Sequence, residues 1–271
     1  MGMGRFFFPA IAIIFLSACI KAYIPFVNEP SHSAIINEGR ALYPQMFRQA
    51  SETEKIGSPS ICIDIAESSD MDGKKYSYAE TELRTLLTHE GFVVFKGKCN
   101  NAIRISGTIL ARSGTSSESG SFTVYDALAS LKATDMPDGK DISSFSTSTR
   151  GFGLEENDAI MGALTNSGRE AFKTFKKDII AYYRLKSVAS LEVYGLSTLR
   201  DLNDFYLKLK GIRDVKNVWL IDYRGENAYF DVSMQDGGAG NLARGLLETF
   251  GTRLKINRPS YTALEAALQK K

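Results

Sequence analysis

The apolar positions of this chain fall into two patterns, alternation by twos and stripes at helical spacing, which take turns along most of its length. Ile61, Ile63 and Ile65 alternate with Cys62 and Asp64, the period of a strand with one face buried. Ser77-Tyr78-Ala79-Glu80 has the spacing of a capping box, in which the serine and glutamate each satisfy a backbone N–H at a helix start. Leu83, Leu86 and Leu87 continue it as a helical stripe, and Gly91 suits a C-terminal cap. Phe92–Phe95, Ala102–Leu110, Phe122–Lys132 and Ser143–Thr149 predict further strands, with Arg112–Ser121, almost all Ser, Gly and Thr, as a hairpin loop. Glu155–Leu185 then reads as one long amphipathic helix, bent or interrupted at Ser167-Gly168.

The pattern starts again after Val188. Leu191 and Val193 predict a strand, and Ser197 can cap a helix carrying Leu199, Leu202, Phe205 and Leu209. Val215–Asp222 and Asn227–Ser233 flank the hairpin turn Arg224-Gly225-Glu226. Asn241–Phe250 predicts a short helix, Leu254 and Ile256 a strand, and Pro259 the first position of a terminal helix. The expected class is α+β in two small domains. The first, 58–186, is a mixed sheet with helices on one face. The second, 187–271, is a β-α-β-β-α-β ferredoxin-like unit with a C-terminal helix.

The start of the chain follows neither pattern. Arg5 is followed by an uncharged run, Phe6–Ala18, shorter than the roughly 20 apolar residues a spanning helix needs. A basic start, a short apolar core and small residues at its end read as an export signal, residues 1–18. Leu16-Ser17-Ala18-Cys19 resembles the lipobox of bacterial lipoproteins, which implies acylation of the Cys19 thiol and cleavage just before it. Ile20 rather than aspartate at the next position leans toward the periplasmic face of the outer membrane. Residues 19–57, with Pro25, Pro30 and Pro44, are expected to form a lipidated tether, although Ile35, Ile36, Leu42 and Phe47 could pack on the folded body.

A net charge of +2 gives no electrostatic case for nucleic acid. With Cys19 acylated, Cys62 and Cys99 are the thiols left in an oxidising compartment. Either they are bridged, or Cys62 is a buried free thiol and Cys99 an exposed one. The two histidines, His32 and His89, lie in the tether and beside a helix end. No HExxH, no paired Cys/His ligands and no Gly-x-Ser-x-Gly occur, so neither a zinc site nor a hydrolase elbow is expected, and no cofactor. Asp236-Gly237-Gly238-Ala239-Gly240 lacks the lysine and hydroxyl of a phosphate loop and reads as a connection. Gly151-Phe152-Gly153 is a bare pair of glycines, and Glu67, Asp70 and Asp72 read as a solvated turn.

Residues 60–183 resemble the α+β domain shared by the TolB N-terminal domain, the middle domain of flagellar assembly protein T and lipoprotein activators of peptidoglycan synthases. The matching stretches are Ile61-Cys62-Ile63-Asp64-Ile65, His89-Glu90-Gly91-Phe92-Val93-Val94, Ala102-Ile103-Arg104-Ile105-Ser106-Gly107 and Asp158-Ala159-Ile160. Residues 190–257 are similar to a small module of envelope lipoproteins, with Gly195, Leu202 and Gly211 as landmarks. The resemblance implies a non-enzymatic scaffold or assembly factor for a flagellar, secretion or cell-wall synthesis machine. Its partners would be a membrane, through the lipid, and an envelope complex, with self-association left open. The competing expectation is a periplasmic enzyme or small-ligand-binding lipoprotein. Recognition is expected first in the second domain, at Arg224-Gly225-Glu226 and at Gly237–Gly240, since chain reversals tend to carry binding residues.

Overall fold

The computed structural model describes residues 32–70, 74–96, 100, 102–114, 122–235, 238–260 and 262–269. Residues 1–31, with the expected signal and Cys19, lie outside them, as do Asp72, Cys99 and most of the 112–121 loop. Among the described residues no helix is long and apolar enough to cross a membrane.

The first sheet is built from β1 (Ser60–Ser69), β2 (Lys75–Tyr76), β3 (Val93–Phe95), β4 (Ile103–Ser113), β5 (Thr123–Asp135) and β6 (Lys140–Gly153). Its order is β2-β1-β4-β5-β6, with β3 also on β1. β1 runs parallel to β4 and β3, and the β4-β5-β6 meander is antiparallel, so the sheet is mixed as expected. Helices α3 (Tyr78–His89) and α4 (Glu156–Ser187) share one face. The core between them holds Ile61, Ile63, Leu83, Leu87, Ile105, Leu131, Ile160, Phe175 and Ile179.

Three expectations change here. α4 is continuous over 32 residues, about 48 Å, and Ser167-Gly168 does not interrupt it. Gly168 marks instead where α3 crosses, since a Cβ there would lie 2.7 Å from the Ala79 carbonyl oxygen. Gly151-Phe152-Gly153 has the same role under the start of α4, because a Cβ on Gly151 would come 2.1 Å from the Ala159 carbonyl oxygen. Ser77 makes no side-chain cap to α3. The Glu67 carboxylate does so from β1, accepting from the N–H groups of Ala79 (3.0 Å) and Glu80 (2.6 Å). Glu67 is therefore a buried cap and not part of a solvated turn. Burial raises its pKa, and Glu80 nearby adds to the rise.

The second sheet contains β7 (Val188–Tyr194), β8 (Val215–Arg224), β9 (Asn227–Met234), β10 (Leu254–Pro259) and β11 (Ala263–Leu268). Helices α5 (Leu199–Lys210) and α6 (Ala239–Phe250) are amphipathic and bury Leu202, Phe205, Leu209, Leu242 and Leu246 against it. The β-α-β-β-α-β order is present, but the expected terminal helix is a strand. β11 inserts between β10 and β7, parallel to β7 and antiparallel to β10, giving β10-β11-β7-β9-β8. Its Leu264 and Ala266 are buried and alternate with exposed Ala263 and half-buried Glu265. A period of two thus decides a segment whose Ala, Leu and Glu content favours a helix.

The expected tether is folded from residue 32 onward, which moves the domain boundary. α1 (His32–Leu42) ends before Pro44, and α2 (Glu52–Lys55) is capped by Ser51, whose Oγ accepts from Glu54 N–H at 3.1 Å. Met46 and Phe47 are buried in the core of the second sheet, with Val218, Phe230 and Leu264. Lys55 reaches Asp231 on the opposite face of that sheet, away from α5 and α6. Between them Phe47, Arg48 and Glu54 flank Asn217–Trp219 of β8. The strap 32–56 therefore wraps the β8 edge from one face to the other. It supplies the cover that an edge strand needs. Ile56 then enters the core of the first unit.

Candidate functional site

The strap makes a groove that neither expected domain would have formed alone. α1 lies on one side of it, and the chain Ser197–Arg200 and the β8–β9 turn lie on the other. Together they enclose about 950 Å³, compared with about 750 Å³ for the hollow beside Trp219. The lining is mixed: apolar Ile35, Leu42, Tyr43, Leu199 and Tyr223 stand beside His32, Ser197, Thr198 and the charged Glu38, Arg200, Arg224 and Glu226. Leu42 is 58% exposed, an apolar side chain facing water at the mouth.

Hydrogen bonds tie the two segments of the second wall to each other, and one ion pair reaches across to α1. Tyr223 donates its hydroxyl to the Leu196 carbonyl at 2.7 Å, and Leu196 N–H donates to the Glu226 carbonyl at 2.9 Å. Ser197 donates to Glu226 Oε1 at 3.0 Å. The cap of α5 is Thr198, not Ser197: its Oγ1 accepts from Asp201 N–H at 3.1 Å. His32 Nε2 sits 3.2 Å from Asp222 Oδ1, and Arg224 Nε 2.6 Å from Asp222 Oδ2. Burial raises the Tyr223 pKa, and Asp201 and Glu226 raise it further, so the phenol stays a proton donor.

Ser197 is bonded to a carboxylate and not to a histidine, and His32 is paired at the rim. Among the described residues no group of three or more His, Cys, Asp or Glu is placed to hold a metal. His89 lies exposed at the end of α3, in the other unit. The turn Arg224-Gly225-Glu226 is where the sequence places it, with Arg224 opposite Asn227. The Gly237–Gly240 connection is not beside it. Gly238 caps α6 after Met234, which pairs with Val215 at the far end of the same hairpin. Asp236 and Gly237 lie outside the described residues. Cys62 is buried on β1 and disulfide-bonded, and its partner also falls outside them.

The contribution of α1 was legible only in part, through Ile35, Ile36 and Leu42 as apolar residues of the tether that could pack on the folded body. Pro44 obscured it by breaking the apolar run at the helix end.

No family model and no curated protein matches the chain. Solved structures it is similar to include a minor lipoprotein from Acinetobacter baumannii (11% identity, TM-score 0.32, 46% of this chain and 92% of that one). A lipoprotein from Neisseria meningitidis matches at 16% identity with TM-score 0.26, over 42% of this chain and 98% of that one. The rare lipoprotein B from Shewanella oneidensis matches at 11% with TM-score 0.27, over 44% and 95%.

Proposed function

We propose that the chain is a lipid-anchored envelope protein that docks an assembly partner and catalyses no reaction. Cys19, placed directly after the apolar run Phe6–Ala18, would carry the acyl chains, two or more of which anchor stably. The absence of aspartate at position 20 favours the periplasmic face of the outer membrane. The resemblance of residues 60–183 to domains of envelope assembly proteins favours a flagellar, secretion or cell-wall synthesis machine. The observation that carries the docking reading is the groove. It sets apolar side chains beside charged ones, with an exposed Leu42 and hydroxyls that are already committed. Such a shape suits an extended apolar segment of another protein. Only 12 residues separate Cys19 from His32 at the groove, a span of at most roughly 40 Å, so the partner would be met close to the membrane.

Two measurements separate the parts of this reading. Metabolic palmitate labelling tests the anchor, with Cys19→Ser expected to abolish incorporation; an unlabelled wild type removes the lipid. For docking, Leu42→Asp and Leu199→Asp should cut cross-linking to the envelope partner at least tenfold while labelling is unchanged. Wild-type cross-linking in both variants would move docking elsewhere.

A further inference from the structure

The two sheet units are joined by two crossings of the chain, and the crossings lie side by side. One is Ile56–Ser60, between α2 and β1; the other is Ser187–Val188, where α4 passes into β7 with no loop. Both line a crevice of about 350 Å³ between the units, together with Tyr183, Lys186, Lys216 and Met234. In the first crossing Gly57 has φ +83° and Ser58 has φ +46°. Ser58 is the one non-glycine residue at positive φ among those described, a conformation that costs free energy and persists only where its surroundings hold it.

The backbone there is held by the end of α2, with Ser58 N–H donating to the Thr53 carbonyl at 2.9 Å and Gly57 N–H to that of Glu54 at 3.0 Å, and beside it lies a set of charges around Asp231. This carboxylate is buried on the face of the second sheet away from α5 and α6. It receives Arg184 Nη2 at 3.1 and 3.2 Å, Lys55 Nζ at 3.2 Å and the Ser190 hydroxyl at 3.2 Å. Arg184 comes from α4, Lys55 from the strap and Ser190 from β7, so one carboxylate ties three elements across the junction. Glu52 closes the set by bonding both Lys55 and Arg184. Two residues further along α4, about half a turn, Lys186 points the other way, to Asp135 (3.0 Å) and Asp138 (2.7 Å) of the first unit. The end of α4 thus holds one unit with Arg184 and the other with Lys186.

We infer that the junction is a latched hinge, with Asp231 as the catch and the strap as the arm. When the Asp231 pairs are intact the two units move as one body. When they are broken, each unit keeps its own core, and the first swings about Gly57-Ser58 and Ser187-Val188.

The chain carries its own reporter, because Trp219, its single tryptophan, is buried directly opposite Asp231. In the full-length protein Asp231→Ala should red-shift Trp219 emission and raise the radius of gyration. Proteolytic cleavage within 56–60 should quicken roughly tenfold, with the far-UV circular dichroism unchanged. Asp231→Asn, which keeps the shape and part of the hydrogen bonding, should move the same readouts less. Arg169→Gln, which breaks a pair with Glu82 inside the first unit, should move none. Unchanged cleavage and radius in Asp231→Ala would overturn the latch. So would loss of secondary structure in both Asp231 variants, since that would make Asp231 part of a core and not a catch.

Discussion

The two units solve the same problem with different use of the chain. The first builds its core almost wholly from consecutive residues, 56 to 188, with α3 and α4 laid on a mixed sheet. The second closes its core with Met46 and Phe47, which come from before the first unit begins. A unit assembled from neighbours can be read as a run of periodic elements. A unit completed from afar leaves its missing piece looking like a linker, because the piece has no partner within reach of any sequence window. The lesson is that the chain holds one contiguous unit and one discontinuous one, where local pattern suggested two contiguous domains.

The sharpest way to break this contrast is Phe47→Ala. It should destabilise the second unit by about 4 kcal/mol while the first keeps its stability. Denaturant unfolding followed by Trp219 for the second unit and by hydrogen exchange for the first would show it. Equal loss in both would mean that the units share one core. The converse test is Gly151→Ala, whose Cβ would meet backbone of α4 at 2.1 and 2.2 Å. About 3 kcal/mol should be lost, now in the first unit, with Trp219 unfolding at its wild-type midpoint. A shifted Trp219 midpoint would show that α4 transmits strain across the junction.

Acid gives a gentler contrast. Glu67, capping α3, has its pKa raised by burial. Its folded form holds the proton more tightly, so this contribution is fully present below the unfolded value and is lost as pH rises through the folded one. Glu52 in the strap is the reverse. Burial pushes it up, but Lys55 and Arg184 outweigh that and leave it below its usual 4.5. Its contribution is present above the unfolded value and is lost as pH falls through the folded one. Lowering pH from about 6 to about 3 should therefore weaken the strap's hold on the second unit relative to the first. Calorimetry at both pH values checks the sign, and the contrast should vanish in Glu52→Gln.

Much of the fold was legible because long periodic segments leave little choice. The stripe through Ile160, Leu164, Ala171, Phe175 and Ile179 specifies α4, and the alternation in β1, β4 and β5 specifies strands. The errors arose where a tertiary partner overrode a local signal. Ser77 has a capping-box spacing, yet the Glu67 carboxylate, ten residues upstream, takes N–H groups at the start of the helix. Ser167-Gly168 looks like a weak point in a helix, yet the small residue exists to let another helix approach. Residues 263–268 carry helix-forming side chains, yet β7 offers an open edge that the alternating Leu264 and Ala266 fit. In the groove, the turn Arg224–Glu226 was visible from its residues. Its opposite wall was not, because α1 reaches it from more than 150 positions away.

The wrapped strap also dictates an order of events as the chain emerges. Met46 and Phe47 leave the ribosome among the first residues, but the strands that bury them run to residue 268 and leave among the last. The first unit can mature while the rest is still being made; the second must wait for nearly the whole chain, with two large apolar side chains uncovered in the meantime. Contacts of such long separation form slowly, and exposed apolar surface in that interval invites aggregation. Shielding of Met46 and Phe47 until residues 188–268 have been made is therefore a separate requirement from the strength of the finished core.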